Sequence, residues 1–460
     1  MLSQSIYIFA SKIAGYTIRI LLPIFLVRVL TQLDYGIYRQ FFLIEATIAT
    51  LFQFGINQSL FYFVPRDEGR APSYLANTIL LNFAAYGLAF GLVTPFRHEL
   101  AAWLNMVPLV ENYVELVVYT VALMLTIAGD CYLCARKRIR QSAAFEIGGQ
   151  LLVSAATLTA AFTTRSVPAV ILAMVAGRLL HLALMAGYIH LRLGGLRGAQ
   201  PFYRIWTQVR YGLVLGLGGS AWSLSLRIHP LIISKGLGVE AFAVYSVGIT
   251  ELPVVQAYLQ SLAAVALGRF AVLEKAGDWD AIRRLWRDIL AAMLGVVVPF
   301  VVVLTLLAEP LVILLFTEQY ADAVGIFRVN TLMKLSMIWN AQLVLRAIDR
   351  NDVTLKIYGA QLAVSPFLLW GMLQLWGMIG VIAGQAAIQI AGRLACQAAL
   401  NRITGERLPY LVSPREILAY YRTVGRRLAQ KLRRGRSDPD ATRRPPAAGE
   451  DGRGSEEALR

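Results

Sequence analysis

The chain has 460 residues, 57% of them hydrophobic, and a mean hydropathy of +0.57, whereas ordinary soluble domains are roughly 45–50% apolar. Its net charge of +16 would suggest nucleic acid in a soluble protein. In a chain this apolar the simpler account is basic loops that orient membrane helices, with no nucleic acid as partner.

A helix needs about 20 mostly apolar residues to cross the hydrocarbon core. Twelve such runs follow one another, near 5–30, 37–63, 74–95, 110–134, 142–163, 167–190, 209–234, 241–267, 289–316, 323–346, 354–376 and 378–400. Runs this continuous exclude the alternating strands of a barrel and leave helices. The first run is too long for a signal peptide and carries Lys12, Arg19 and Arg28, so it is expected to be a spanning helix.

Basic residues follow the even-numbered runs: Arg66 and Arg70; Arg136, Lys137, Arg138 and Arg140; Arg192, Arg197, Arg204 and Arg210; then Arg269, Lys275, Arg283, Arg284 and Arg287. The odd-numbered connections are poor in charge. Both termini are therefore expected in the cytoplasm. Cys131, Cys134 and Cys396 do not build a disulfide framework. Cys131 and Cys134 form a CxxC with no second pair to complete a zinc site, and are read as packing residues.

The first six runs register on the last six with an offset of about 207 residues, as a duplicated transporter bundle would. Pro23 aligns with Pro230, Arg28 with Lys235, and Leu30 with Leu237. Tyr35, Gly36 and Tyr38 align with Phe242, Ala243 and Tyr245, and Gln53 with Gln260. The segment AGRL recurs at Ala176–Leu179 and Ala391–Leu394. An even number of helices per half makes the copies parallel repeats. The expected organisation is an all-α polytopic membrane protein of about twelve spans: a six-helix bundle over 1–200, a second over 201–400, and a tail over 401–460. Within the second half, 268–288 reads as a short amphipathic cytoplasmic connector helix. In the tail, Ser413 and Pro414 are suited to N-cap and N1. Ile417, Tyr421, Val424, Leu428 and Leu432 mark the face of a helix lying on the anionic inner leaflet, and disorder is expected from about 435.

Charges inside a span usually face a cavity or a partner. Arg19 and Arg227 lie deep in the first and seventh runs at near-equivalent repeat positions; Glu45 and Glu251 are near-equivalent in the second and eighth. Arg178 and Arg393 are the bases of the two AGRL segments, and Arg328 and Lys334 lie in the tenth run. One reading is a central cavity whose arginines, Arg19, Arg227 and Arg178, receive an anionic substrate. Their planar forks match phosphate oxygens, and Glu45 and Glu251 would hold them, bind sugar hydroxyls or carry a coupling ion. The other reading makes Arg19–Glu45 and Arg227–Glu251 structural ion pairs. Arg393 is also read as snorkelling to the interface, and His181 and His229 as packed polar residues. Pro23 and Pro230 are hinge candidates, each removing a backbone hydrogen bond. The glycines Gly212, Gly216, Gly218 and Gly219 suit close helix approach.

The turns LTQLDYGIY (Leu30–Tyr38) and LGVEAFAVY (Leu237–Tyr245), the connector LEKAGDWDAIRRLWRD (Leu273–Asp288) and AEPLVILLFTEQYADA (Ala308–Ala323) together resemble one family. It is the polysaccharide transporter branch of the multidrug/oligosaccharidyl-lipid/polysaccharide exporter superfamily, which includes the O-antigen flippases. The turns depart from the family pattern at Gln32 and Val239, where proline is usual, and at Ala243, where glycine is usual. The resemblance implies a V-shaped, MATE-like twelve-helix exporter of the bacterial inner membrane. It would flip a polyprenyl-pyrophosphate-linked oligosaccharide by alternating access for lipopolysaccharide or exopolysaccharide biosynthesis. Membrane lipids, and polysaccharide polymerase or export machinery, are the candidate partners. No cofactor is implied; a coupling proton or monovalent cation is compatible with the sequence but not required by it. The nearest alternative is a cation-coupled multidrug or other small-molecule exporter of the same superfamily. A membrane glycosyltransferase or polymerase ranks lower, because the longest outer connection offers only Glu99 as an acidic residue.

Overall fold

The structure is a computed structural model that describes residues 17–18, 21–250 and 253–422. Among the described residues every regular element is helical. The long helices are α1 (Gln32–Phe52), α2 (Ala71–Val93), α3 (Tyr113–Ala135), α4 (Ile139–Thr164), α5 (Val167–Leu193), α6 (Ile205–Gly248), α7 (Pro253–Lys275) and α8 (Trp279–Leu306). They continue with α9 (Ala308–Phe316), α10 (Ala323–Met333), the short α11 (Gln342–Ala347) and α12 (Asn351–Thr404). Seven helices among the described residues are long and apolar enough to cross a membrane.

The caps follow local chemistry. Thr31 accepts from the Asp34 amide (3.1 Å) at the start of α1, and Asp278 accepts from the Ala281 amide (2.8 Å) at the start of α8, satisfying donors that a first turn leaves open. Gly194 and Gly405, at φ +79° and +70°, terminate α5 and α12, where only glycine takes the left-handed conformation freely.

Two of the long helices are broken inside. At 1.5 Å per residue, the 54 residues of α12 would reach about 80 Å, well over twice the roughly 30 Å hydrocarbon core. The chain reverses at Trp376 and Gly377, where Gly377 has φ 58° and ψ −143°. The two arms then run antiparallel: Gln361 donates to the Ile388 carbonyl, and Gly384 packs on Leu369 and Met372. In α6 the break falls at Gly238 (φ 83°, ψ −172°), and Pro230 lies buried a little over two turns earlier.

α4 and α5 pack on each other, α3 packs on α5 and α2, and the later helices group around α6, α10 and α12. α1 and α6 run antiparallel along the seam between these groups. Gly36 of α1 faces Val239, and Gly55, just after α1, faces Gly212 and Gly216. Large apolar side chains such as Leu88, Leu92, Leu314 and Phe367 are exposed, while Gln40, Asn57, Asn77, Asn82, Gln208, Gln385 and Gln389 are buried. That inversion of the soluble pattern is what a hydrocarbon solvent selects. The protein is a multi-pass membrane protein.

Several boundaries differ from expectation. The second run ends as a helix at Phe52, because Phe54 and Gly55 take positive φ (40° and 66°). The tenth run is interrupted by a 3-10 turn over Lys334–Ile338 before α11 begins. The connector expected over 268–288 is not a separate helix. Its residues belong to the end of α7 and the start of α8, with the turn at Gly277 (φ 69°). The segment 414–422 is helical, and its Tyr421 ring packs against Gly295, inside α8, instead of only lying along a surface. Residues 423–460, including the disorder expected from about 435, lie outside the described residues.

Candidate functional site

α1 buries two polar side chains on the seam, Gln40 at 0% and Glu45 at 6% exposure. A carboxylate in apolar surroundings costs several kcal/mol unless it is paired. Arg227 of α6, Arg178 of α5 and the Tyr86 hydroxyl of α2 all lie within coulombic reach of the Glu45 carboxylate. Glu45 thus draws together three helices of the first half and one of the second.

Arg178 is itself held tightly. It is 7% exposed, donates from Nη2 to Tyr119 Oη at 3.3 Å, and meets His181 Nδ1 at 3.4 Å. Its guanidinium carbon stands 5.3 Å from the centroid of the Tyr119 ring. His181 lies against the backbone of Gly149, where any side chain would displace it, and stacks on Phe145. On the α6 side His229 pairs with Tyr245 Oη at 2.7 Å, with Arg227 and Lys334 both within coulombic reach.

A line of buried polar groups continues from this cluster along α2. Thr78, Asn82 and Tyr86 share one face at intervals of four residues. Asn82 donates to Asn57 Oδ1 (2.8 Å), and Gln208 Nε2 donates to Thr78 Oγ1 (2.8 Å) and Ser59 Oγ (2.9 Å).

The structure therefore brings Glu45, Arg178 and Arg227 to one place. Arg19 and Glu251 lie outside the described residues. Pro23 lies in the short helical stretch before α1 and Pro230 within α6. Arg393 is half-buried beside Tyr358 and Cys396, with its Nε turned inward, so it does not simply snorkel out. Arg328 forms an ion pair with Glu309 at 3.7 Å. Cys131 is buried, and Cys134 Sγ contacts Ser142 Oγ at 3.0 Å. Among the described residues no three His, Cys, Asp or Glu side chains could hold a metal ion together. Sequence reasoning missed Gln40, Tyr86 and Tyr119. Polar residues at fourfold spacing inside the α2 run were the signal that could have found Tyr86.

One end of the seam is bridged by many contacts. Gln32 donates to the Glu240 carbonyl (3.2 Å), Gln40 to Ser234 Oγ (2.7 Å), Asn105 to the Lys235 carbonyl (2.7 Å) and Arg28 to the Leu314 carbonyl (2.6 Å). Lys235 Nζ sits 3.4 Å from the Trp103 ring centroid and 5.4 Å from that of Trp370. Tyr35 and Tyr320 meet edge to face at 5.9 Å. At the opposite end, among the described residues, the side-chain hydrogen bonds crossing to α6 come from Asn77 and Gln208.

The family described as "Polysaccharide biosynthesis protein" matches residues 25–325. The fold is similar to that of an inward-facing multidrug resistance MATE family transporter of the MOP superfamily (TM-score 0.67, 14% identity, covering 85% of this chain and 96% of that one). It is also similar to the lipid II flippase MurJ in an inward closed conformation (TM-score 0.64, 12% identity, 91% and 90%). A third similar structure is a MOP superfamily transporter from Pyrococcus furiosus (TM-score 0.58, 13% identity, 88% and 96%). No curated protein sequence matches this chain.

Proposed function

Because the chain belongs to the polysaccharide biosynthesis protein family, we propose that it is a flippase, not an enzyme, that carries a polyprenyl-pyrophosphate-linked oligosaccharide across the bacterial inner membrane. The observation that carries this reading is the placement of Arg178 and Arg227 within coulombic reach of buried Glu45 at the seam of an exporter fold. A guanidinium has five donors in a planar fork. One carboxylate occupies at most a few of them, so an oriented arginine keeps donors for phosphate oxygens. By the repeat, Arg19 and Glu251 would contribute to the same site as counterparts of Arg227 and Glu45.

The cycle follows from the seam. With the Gln32 end closed, the headgroup enters from the basic-loop side, which the charge pattern assigns to the cytoplasm, and the arginines neutralise its phosphates. Parting of the contacts around Gln40, Asn105 and Lys235 then opens the other side, with Pro23 and Pro230 as bending points. Moving one negative charge out of a cell interior at −100 mV is downhill by about 2.3 kcal/mol, so the energetics do not require a coupling ion. The runner-up, a cation-coupled exporter of small molecules, draws on the buried Glu45 as an ion carrier.

In a deletion strain, lipid-linked oligosaccharide should accumulate on the inner leaflet and surface polysaccharide should disappear. Wild-type protein should restore output, the double variant Arg178→Ala/Arg227→Ala should not, and lysine at both positions should restore part of it. Full output from the alanine pair at wild-type membrane levels would sink the phosphate site. Drug sensitivity of the deletion strain with normal polysaccharide would favour the runner-up.

A further inference from the structure

The helices that carry the polar cluster also carry a separate cavity. It has an empty volume of about 420 Å³, is partly open, and lies between α1, α2 and α3 under the short helix Arg97–Trp103. Ile44, Ile48, Val93, Ala101, Leu104 and Leu116 form most of its apolar wall. On α1 the wall residues Ile44 and Ile48 lie about a quarter-turn around the helix from Glu45. On α2 the wall residue Val93 is seven residues beyond Tyr86, about 10 Å along the axis; on α3, Leu116 precedes Tyr119 by roughly 4.5 Å. The cavity is therefore a neighbour of the charged cluster, displaced toward the Gln32 end.

One cation marks it. The Arg97 guanidinium carbon is 5.8 Å from the Tyr113 ring centroid, and its Nε donates to His98 Nε2 at 3.3 Å. Among the described residues Arg97 makes no ion pair with an acid. An apolar recess with one unneutralised cation complements an anionic amphiphile, with its chain inside and its phosphate outside. Because the recess is partly open, the 420 Å³ includes space continuous with its surroundings, and what it offers is a narrow apolar slot.

We propose that this cavity holds the phosphate-proximal isoprene units of the lipid carrier, with the phosphate facing Arg97. It forms a station on the release side of the Glu45 cluster. The inference rests on the flippase reading and adds a place for the carrier chain that the arginine cluster alone does not provide.

The test uses full-length protein in vesicles of phosphatidylethanolamine and phosphatidylglycerol. The probe is a polyprenyl monophosphate with a diazirine on the isoprene unit next to the phosphate. Photolysis should place adducts within residues 93–116, and Ala101→Trp, which fills the cavity, should lower them at least tenfold. Arg97→Gln leaves the wall intact and should abolish the preference for polyprenyl phosphate over polyprenol. Adducts scattered in proportion to lipid exposure would overturn the proposal. So would equal labelling of 93–116 by diazirine-bearing phosphatidylglycerol, or an unchanged preference in Arg97→Gln. Translocation of lipid-linked oligosaccharide is measured in the same vesicles. Transport with scattered adducts removes only the station, and specific adducts without transport remove only the flippase reading.

Discussion

Replacing Gly36 with alanine should pry open the Gln32 end of the seam. Gly36 lies in the second turn of α1, facing Val239 just after the backbone break at Gly238. A Cβ built there would stand 2.5 Å from the Val239 carbonyl oxygen and 2.7 Å from Val239 Cγ1, whereas ordinary contact begins at 3.4 Å. The Val239 side chain can rotate, but the carbonyl cannot, so α1 and α6 must separate by about 0.9 Å locally, the difference between 3.4 and 2.5 Å. Overpacking of this kind costs about 1–3 kcal/mol. Spent against the closed arrangement alone, that is a 5- to 150-fold shift toward open forms. Spin labels at Leu33 and Leu237, which are 44% and 45% exposed on opposite sides of the seam, report the distance in a background lacking the native cysteines. The long-distance population should rise at least fivefold in Gly36→Ala and stay unchanged in Gly87→Ala, where a Cβ meets nothing within 4 Å. An unaltered distance distribution in folded Gly36→Ala protein would refute the reasoning.

Arg178→Ala should lower the thermal midpoint in detergent more than Arg178→Ala/Glu45→Gln does. The single variant leaves Glu45 buried with one guanidinium fewer within coulombic reach, and equal midpoints would show the two do not interact. Gly295→Val should expel the Tyr421 ring and speed amide exchange over 414–422 at least tenfold; unchanged protection would mean the tail helix is not held by α8. The Ser413 amide and hydroxyl, both bonded to the Glu416 carboxylate, hold its pKa below the usual glutamate range. A depressed folded-state pKa contributes stability above the unfolded value and loses it as pH falls through the folded one. Protection of 414–422 should therefore drop as the pH falls below the ordinary glutamate value of about 4.3, and Ser413→Ala should remove that pH step.

Which parts of this were legible follows the range of the interactions. Hydropathy located the helices because each run must satisfy its own backbone in lipid, and the reversal at Trp376–Gly377 falls between two runs. The break at Gly238 likewise falls between two runs, at the turn Leu237–Tyr245, whereas a local break inside a run was harder. The turn at Phe54 and Gly55 is embedded in apolar sequence. The polar residues were visible one by one, but the repeat suggested pairing Arg227 with Glu251 within its own half. Glu251 lies outside the described residues; packing of α1 on α6 sets Arg227 within coulombic reach of Glu45 across the seam, a relation no spacing encodes. The stripe of Ile417 and Tyr421 was legible as one helix face, but nothing in the sequence announced that the Tyr421 ring meets α8 at Gly295.

The central claim is that the arginines gathered at Glu45 carry a pyrophosphate-linked glycan across the bilayer. Its most direct measurement is reconstitution with fluorescent polyprenyl-pyrophosphate oligosaccharide, scored by access of a membrane-impermeant glycosidase. Wild-type vesicles should expose the inner-leaflet pool within minutes, Arg178→Ala/Arg227→Ala vesicles should expose no more than protein-free ones, and the lysine pair should fall between. Equal exposure by the wild-type and the alanine pair, or none above protein-free vesicles by the wild-type, would contradict the account.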